Sequence, residues 1–180
     1  MGTTAGLMTV EEFQKLPEDP SVRRELHDGE VFAMTRPSYR HWDIQDRLVD
    51  LLKPLLREHG RIGAEFAFRP EPDNQIWAAD VAFVRAARLA TIDPEDNLSG
   101  APDLVIEVAS PLNTALEFER RETMCMRTGC SEFWIVYPEL ELVKVTTVSQ
   151  VKRYGRGGTI ELTVAPGINV AVDSIFPKED

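Results

Sequence analysis

The chain has 180 residues, 43% hydrophobic and 28% charged, with a net charge of −10. That length suits one compact domain over 1–180 with a sizeable core, and the composition is that of a soluble globular chain. No apolar run approaches a membrane span, and the excess of acid opposes holding nucleic acid by bulk electrostatics. A local basic patch, or metal ions that offset acidic ligands, stays open. The start, MGTTAGLMTV, shows no basic segment followed by a long apolar stretch, so no secretory signal is visible. Gly6 stands where a myristoylation signal wants Ser or Thr. Cys125 and Cys130 are too few for a disulfide scaffold and lack the four-ligand spacing of structural zinc. They read as buried free thiols, which points to a cytoplasmic location.

In chain order, Thr9 opens TVEE, a capping-box pattern with Glu12, so a short helix is expected to about Leu16. RRELHDGEVFAM carries Asp28-Gly29 between two strand-like pieces and predicts a hairpin. From Tyr39 on, Ile44, Leu48, Leu51, Leu52, Leu55 and Leu56 recur at helical spacing. They predict an amphipathic helix that ends near Gly60 and is kinked at Pro54. RIGAEFAFRP and IWAADVAFV read as strands. A long connection, RAARLATIDPEDNLSGA, leads to the strand of PDLVIEVASP, and a helix from Thr114 to Thr128 is stopped by Gly129. SEFWIVYP, LELVKVTTV and shorter strands close the chain. The order implies an α/β (α+β) fold, one mixed sheet flanked by helices.

Glu107 interrupts the apolar run PDLVIEVASP, and a buried carboxylate is costly unless it is paired, protonated or bound to metal. Asp103 shares its strand face but lies four residues away, about 13 Å along an extended strand, too far to share an ion. Its expected place is the strand entrance. Asp80 interrupts WAADVAFV in the preceding strand, and sequential strands are often neighbours about 4.8 Å apart. Two carboxylates there meet at one cation, which also relieves their repulsion. The alternative is that each acid pairs with an arginine or sits at a wet sheet edge. Glu25 beside Arg24 reads as a surface salt bridge unless it joins the site, and Glu117 with Arg121 as a helix-stabilising pair. His41 is a candidate site residue or a polar-face residue of the long helix.

The series EEFQKLP, RRELHDGEVFAM, SYRHWDIQDRL, ADVAFV, GAPDLVIEVASP and GCSEFWIVYPE resembles the Uma-type family of putative restriction endonucleases. Its members are bacterial proteins of the PD-(D/E)XK nuclease superfamily. The resemblance spans nearly the whole chain and is most specific at PDLVIEVASP with the helix and EFWIVYPE that follow. It implies a restriction-endonuclease-like sheet between helices and a magnesium site (manganese as a substitute) at Asp80 and Glu107, with the carbonyl of Val108 as a further ligand. Glu25 and His41 match an acid before the hairpin turn and a histidine early in the long helix. The lysine expected two residues after the glutamate is replaced by Ala109, and the family's lysine from the following helix aligns with Arg121. Arginine stays charged and cannot accept a proton, but it clamps phosphate through two hydrogen bonds.

The expected activity is magnesium-dependent hydrolysis of DNA phosphodiester bonds, with Asp80, Glu107, Arg121 and Glu25 as catalytic residues. His41, Arg36 and Arg40 are candidate substrate contacts, joined by Arg85 and Arg88 on flanking segments. A homodimer would supply two sites for cutting both strands. The competing reading is a nuclease-fold module that has lost catalysis and acts by binding nucleic acid or by self-association.

Overall fold

The computed structural model describes residues 7–17, 19, 22–34, 37–111 and 113–176. Helix α1 (Val10–Gln14) starts at Thr9, whose hydroxyl and the Glu12 carboxylate close the expected capping box. Strands β1 (Arg23–His27) and β2 (Glu30–Met34) form an antiparallel hairpin. Its turn places Asp28 at φ 49° and Gly29 at φ 81°, the left-handed pair that an Asp-Gly hairpin requires.

Helix α2 (Tyr39–Leu56) is capped by Ser38 and buries Ile44, Gln45, Leu48, Leu52 and Leu56 along one stripe. It runs on through Pro54 for two more residues. Strands β3 (Gly60–Arg69) and β4 (Trp77–Arg85) pair antiparallel, and the short helix α3 (Ala86–Leu89) and strand β5 (Leu98–Ser99) occupy the long connection. Then come β6 (Leu104–Val108), α4 (Ala115–Arg127), β7 (Glu132–Tyr137), β8 (Leu142–Thr147) and β9 (Val151–Tyr154). Strands β10 (Thr159–Glu161) and β11 (Asn169–Ala171) form a separate two-stranded sheet.

The main sheet has the order β5-β3-β4-β6-β7-β8-β9. It is mixed: β6 and β7 run parallel, joined across the sheet by α4, and β4 and β6 run antiparallel. One face packs on the α2 stripe and on Ile160, Leu162 and Val170 of the C-terminal segment. The other packs on Phe118 and Cys125 of α4. Strand β4 is buried on both faces, as a central strand must be, so its sequence reads as a continuous apolar run. Both cysteines are free and buried, as expected.

Asp103 lies at the entrance to β6, where its carboxylate accepts from Arg85 Nη1 at 2.9 Å, the Arg85 amide at 3.0 Å and Arg88 Nη1 at 3.3 Å. Arg85 and Arg88 are therefore committed to holding this end of the sheet, four residues from Glu107. Asp103→Asn removes the charge from a buried hub of charge-assisted bonds and is expected to cost about 2 kcal/mol, read from the denaturant midpoint.

Candidate active site

Glu25 reaches the sheet because the hairpin is stitched to the start of β4. Leu26 and Ile76 exchange both backbone bonds, at 2.8 and 2.9 Å, and Leu26, Ile76 and Val10 form a small core beneath them. This register carries the Glu25 side chain over Ala78, whose amide donates to Oε1 at 3.1 Å. At 1% exposure Glu25 is buried, so the expectation of a surface pair with Arg24 is corrected. Arg24 turns to the carbonyl of Pro17 instead.

The β3–β4 ladder is interrupted at Asp80. The pairs Ala64–Val81 and Phe66–Ala79 flank an unpaired Glu65 opposite Asp80, and Glu65 has φ 54°. A non-glycine residue held in the left-handed region is a local strain, of the kind that gathers at functional sites. Here it swaps the faces of both strands. Val81 and Phe83 pack towards α2, whereas Trp77 and Ala79, at the same parity, pack towards α4. In β3, Ile62 faces the α2 side and Phe66 and Phe68 the α4 side. Asp80 sits at the crossover and can meet groups from both layers.

It does so. Asp80 Oδ2 accepts from the Val108 amide at 2.8 Å and lies 3.3 Å from His41 Nε2. Gln45 Nε2 donates to Asp80 Oδ1 at 3.2 Å, to the Asp80 carbonyl at 3.3 Å and to Glu65 Oε1 at 3.0 Å. His41 and Gln45 are four apart, hence on one face of α2. The β4–β6 ladder ends at Val81–Ile106, so the next step of the register sets Asp80 opposite Glu107. The Asp80 carboxylate takes the place of the next ladder bond by binding the amide beside Glu107.

Glu107 Oε1 accepts from Arg121 Nη2 at 3.1 Å, and Oε2 accepts no hydrogen bond among the described residues. Arg121 also donates through Nη1 to Glu25 Oε2 at 3.0 Å and through Nη2 to the Ala78 carbonyl at 2.7 Å. Its guanidinium lies 5.2 Å over the Trp77 ring, a cation–π contact. The expected Glu117–Arg121 pair is thus corrected: Glu117 closes a capping box with Thr114 at the start of α4, and Arg121 turns inward. Sequence reasoning missed three residues. His27 Nε2 lies 2.7 Å from Glu25 Oε2, and its place two residues on in the same strand was a signal of a shared face. Gln45 was signalled by its spacing from His41. Trp77, stacked on His27 and under Arg121, had no sequence signal of its own.

Burial pushes the Glu25 carboxyl up, but Arg121, His27 and the Ala78 amide outweigh it and hold it at about 2. Burial also pushes Glu107 up, and with Asp80 and Glu25 nearby the single contact to Arg121 does not compensate, so Glu107 rises to about 8. Arg121 loses from burial but is held charged above its ordinary range by Glu107 and Glu25. The centre therefore carries more acid than Arg121 balances, and the surplus falls on Glu107.

Of the other candidates, Arg40 pairs with Glu139 on the surface and Arg36 lies outside the described residues. Among the described residues no three His, Cys, Asp or Glu side chains are grouped to hold a metal ion. Magnesium does not need such a cage. It is commonly bound by one or two carboxylates, with waters and substrate phosphate completing its shell. Asp80 and Glu107, whose Oε2 accepts no hydrogen bond among the described residues, are donors of the type that ion takes.

A solved structure of a putative nuclease belonging to DUF820, from Anabaena variabilis ATCC 29413, matches with a TM-score of 0.78. The match covers 94% of this chain and 97% of the other at 19% identity, which shows a shared fold. No curated protein matches the chain. Residues 10–173 match the Uma2 family, described as putative restriction endonuclease, and the chain belongs to that family.

Proposed function

We propose that this protein is a magnesium-dependent endonuclease that hydrolyses DNA phosphodiester bonds. The observation that carries the reading is the register that sets Asp80 opposite Glu107 where the β4–β6 ladder ends, with one Glu107 oxygen accepting no hydrogen bond among the described residues. Asp80 and Glu107 would hold the ion, with the Val108 carbonyl as a further ligand. When bound, the ion supplies Lewis-acid polarisation of a phosphate and a water acidified for attack.

The chain's own residues do the positioning. Gln45 and the Val108 amide fix the Asp80 carboxylate. Arg121 fixes Glu107 and is itself anchored by Glu25, which His27 and the Ala78 amide hold ionised. Glu25 thus supports catalysis through Arg121. Arg121 spends its terminal nitrogens on Glu25, Glu107 and the Ala78 carbonyl, so its first role is to hold Glu107. His41, beside Asp80 at the start of α2, would meet substrate there. If both strands of a duplex are cut together, two such sites are needed, which a homodimer supplies.

The alternative, a nuclease fold without catalysis, draws on the same Arg121 lock over Glu107. Nicking of supercoiled plasmid decides between them. The native protein is expected to nick with magnesium or manganese and not with chelator, and Asp80→Asn to fail. Equal nicking by both proteins would remove the site assignment; no nicking by either would favour the binding module.

Ion binding should depend on pH. A Glu107 carboxyl at about 8 keeps its proton at neutral pH and must release it to ligate. Manganese affinity by calorimetry is therefore expected to rise about tenfold per pH unit up to about pH 8, then level off, with proton release on binding. A pH-independent affinity would place the ion elsewhere.

A further inference from the structure

Tyr39 and Trp42, on the first turn of α2, are 77% and 51% exposed, with ring centroids 5.9 Å apart at 38°. Between them in sequence lies His41, which reaches Asp80. Tyr39, Trp42 and Gln45 are successive neighbours three residues apart on the helix surface, and Gln45 holds the Asp80 carboxylate. An open aromatic pair therefore leads, within one helical turn, into the carboxylate centre.

Charge does little to draw nucleic acid here. The chain carries −10, and among the described residues Arg23 is matched by Glu65, Arg40 by Glu139, and Arg121 by Glu25 and Glu107. Stacking on an aromatic ring is the other general source of affinity for nucleic acid. It tolerates any sequence, because every base has a π face, but it needs a base that is not already stacked in a duplex.

We propose that Trp42, backed by Tyr39, is a stacking platform for an unpaired base beside the scissile phosphate. The preferred substrate is then single-stranded or locally unpaired DNA. This rests on the reading of the site as one that acts on nucleic acid, and it goes further by naming the form of the substrate. The other two tryptophans, Trp77 and Trp134, are buried, so the quenchable tryptophan emission belongs to Trp42.

The test is a fluorescence titration in chelator with single-stranded oligothymidylate and with a duplex of equal length. The single strand is expected to quench the exposed emission and to bind more tightly than the duplex. Binding followed by anisotropy of labelled DNA is expected to weaken about tenfold in Trp42→Ala and to recover to within about threefold of native in Trp42→Phe. Native-like binding by Trp42→Ala, or a duplex that binds and quenches as well as the single strand, would overturn the platform. Cleavage assays with magnesium separate this from the nuclease reading. Trp42-dependent binding by a protein that does not cleave keeps the platform and removes the nuclease. Cleavage of single strands with the same kcat/KM in native protein and Trp42→Ala removes the platform and keeps the nuclease.

Discussion

Glu107→Gln is expected to lower metal-dependent nicking by at least about a hundredfold while making the protein more stable at neutral pH. The two effects have one cause. The folded Glu107 carboxyl stands at about 8 against an ordinary 4.5, pushed up by burial, then by Asp80 and Glu25. Between those values the unfolded chain has lost the proton that the folded chain still binds, so stability falls as pH rises from 4.5 towards 8. At pH 7 the penalty is about 3 kcal/mol, and the neutral amide removes most of it. A rise in Tm of about 5–10 °C follows for a chain of this size, and it should vanish below about pH 4.5. A stability gain with lost cleavage is the signature of an acid kept for function. Full cleavage by the glutamine variant, or a lower Tm at neutral pH, would contradict the account.

Arg121→Ala is expected to be the most damaging single change, at about 3–5 kcal/mol, because it takes the nearer guanidinium from the buried Glu25 carboxylate, leaving Arg23 at 3.6 Å, and removes the donor to Glu107. The pH profile identifies the cause. Burial opposes ionisation of Glu25, but Arg121, with His27 and the Ala78 amide, lowers it from 4.5 to about 2. A depressed carboxyl stabilises the fold fully above 4.5, and that contribution is lost as pH falls towards 2. In Arg121→Ala much of it is already gone, so the acid limb of the Tm curve should flatten in that window. Arg121→Lys keeps the charge but not the planar fork that spans Glu25, Glu107 and the Ala78 carbonyl, so an intermediate loss of about 1–2 kcal/mol is expected. A native acid limb in Arg121→Ala would show that Glu25 is held by other groups.

Much of this was legible in the sequence because it rests on local chemistry. The Thr9 box, the Asp28-Gly29 turn and the α2 stripe are written in a few adjacent residues. That the strands carrying Asp80 and Glu107 are neighbours was legible too, since each acid breaks an apolar run, although the short β5 intervenes in the chain. Glu25 was not, because its burial depends on the long-range exchange between Leu26 and Ile76. Glu117 fitted two local patterns at once, a capping box and an i,i+4 pair. The cap won because Arg121 has stronger partners across the fold. The face swap at Glu65 had no sequence signal, since a left-handed glutamate looks like any other in a strand.

The central claim is that Asp80 and Glu107 share one divalent ion. Anomalous scattering from crystals soaked in manganese tests it most directly. The account predicts a peak about 2 Å from carboxylate oxygens of both residues, with Arg121 still bonded to Glu25. Manganese bound elsewhere, or no peak while Arg121 holds Glu107, would contradict it.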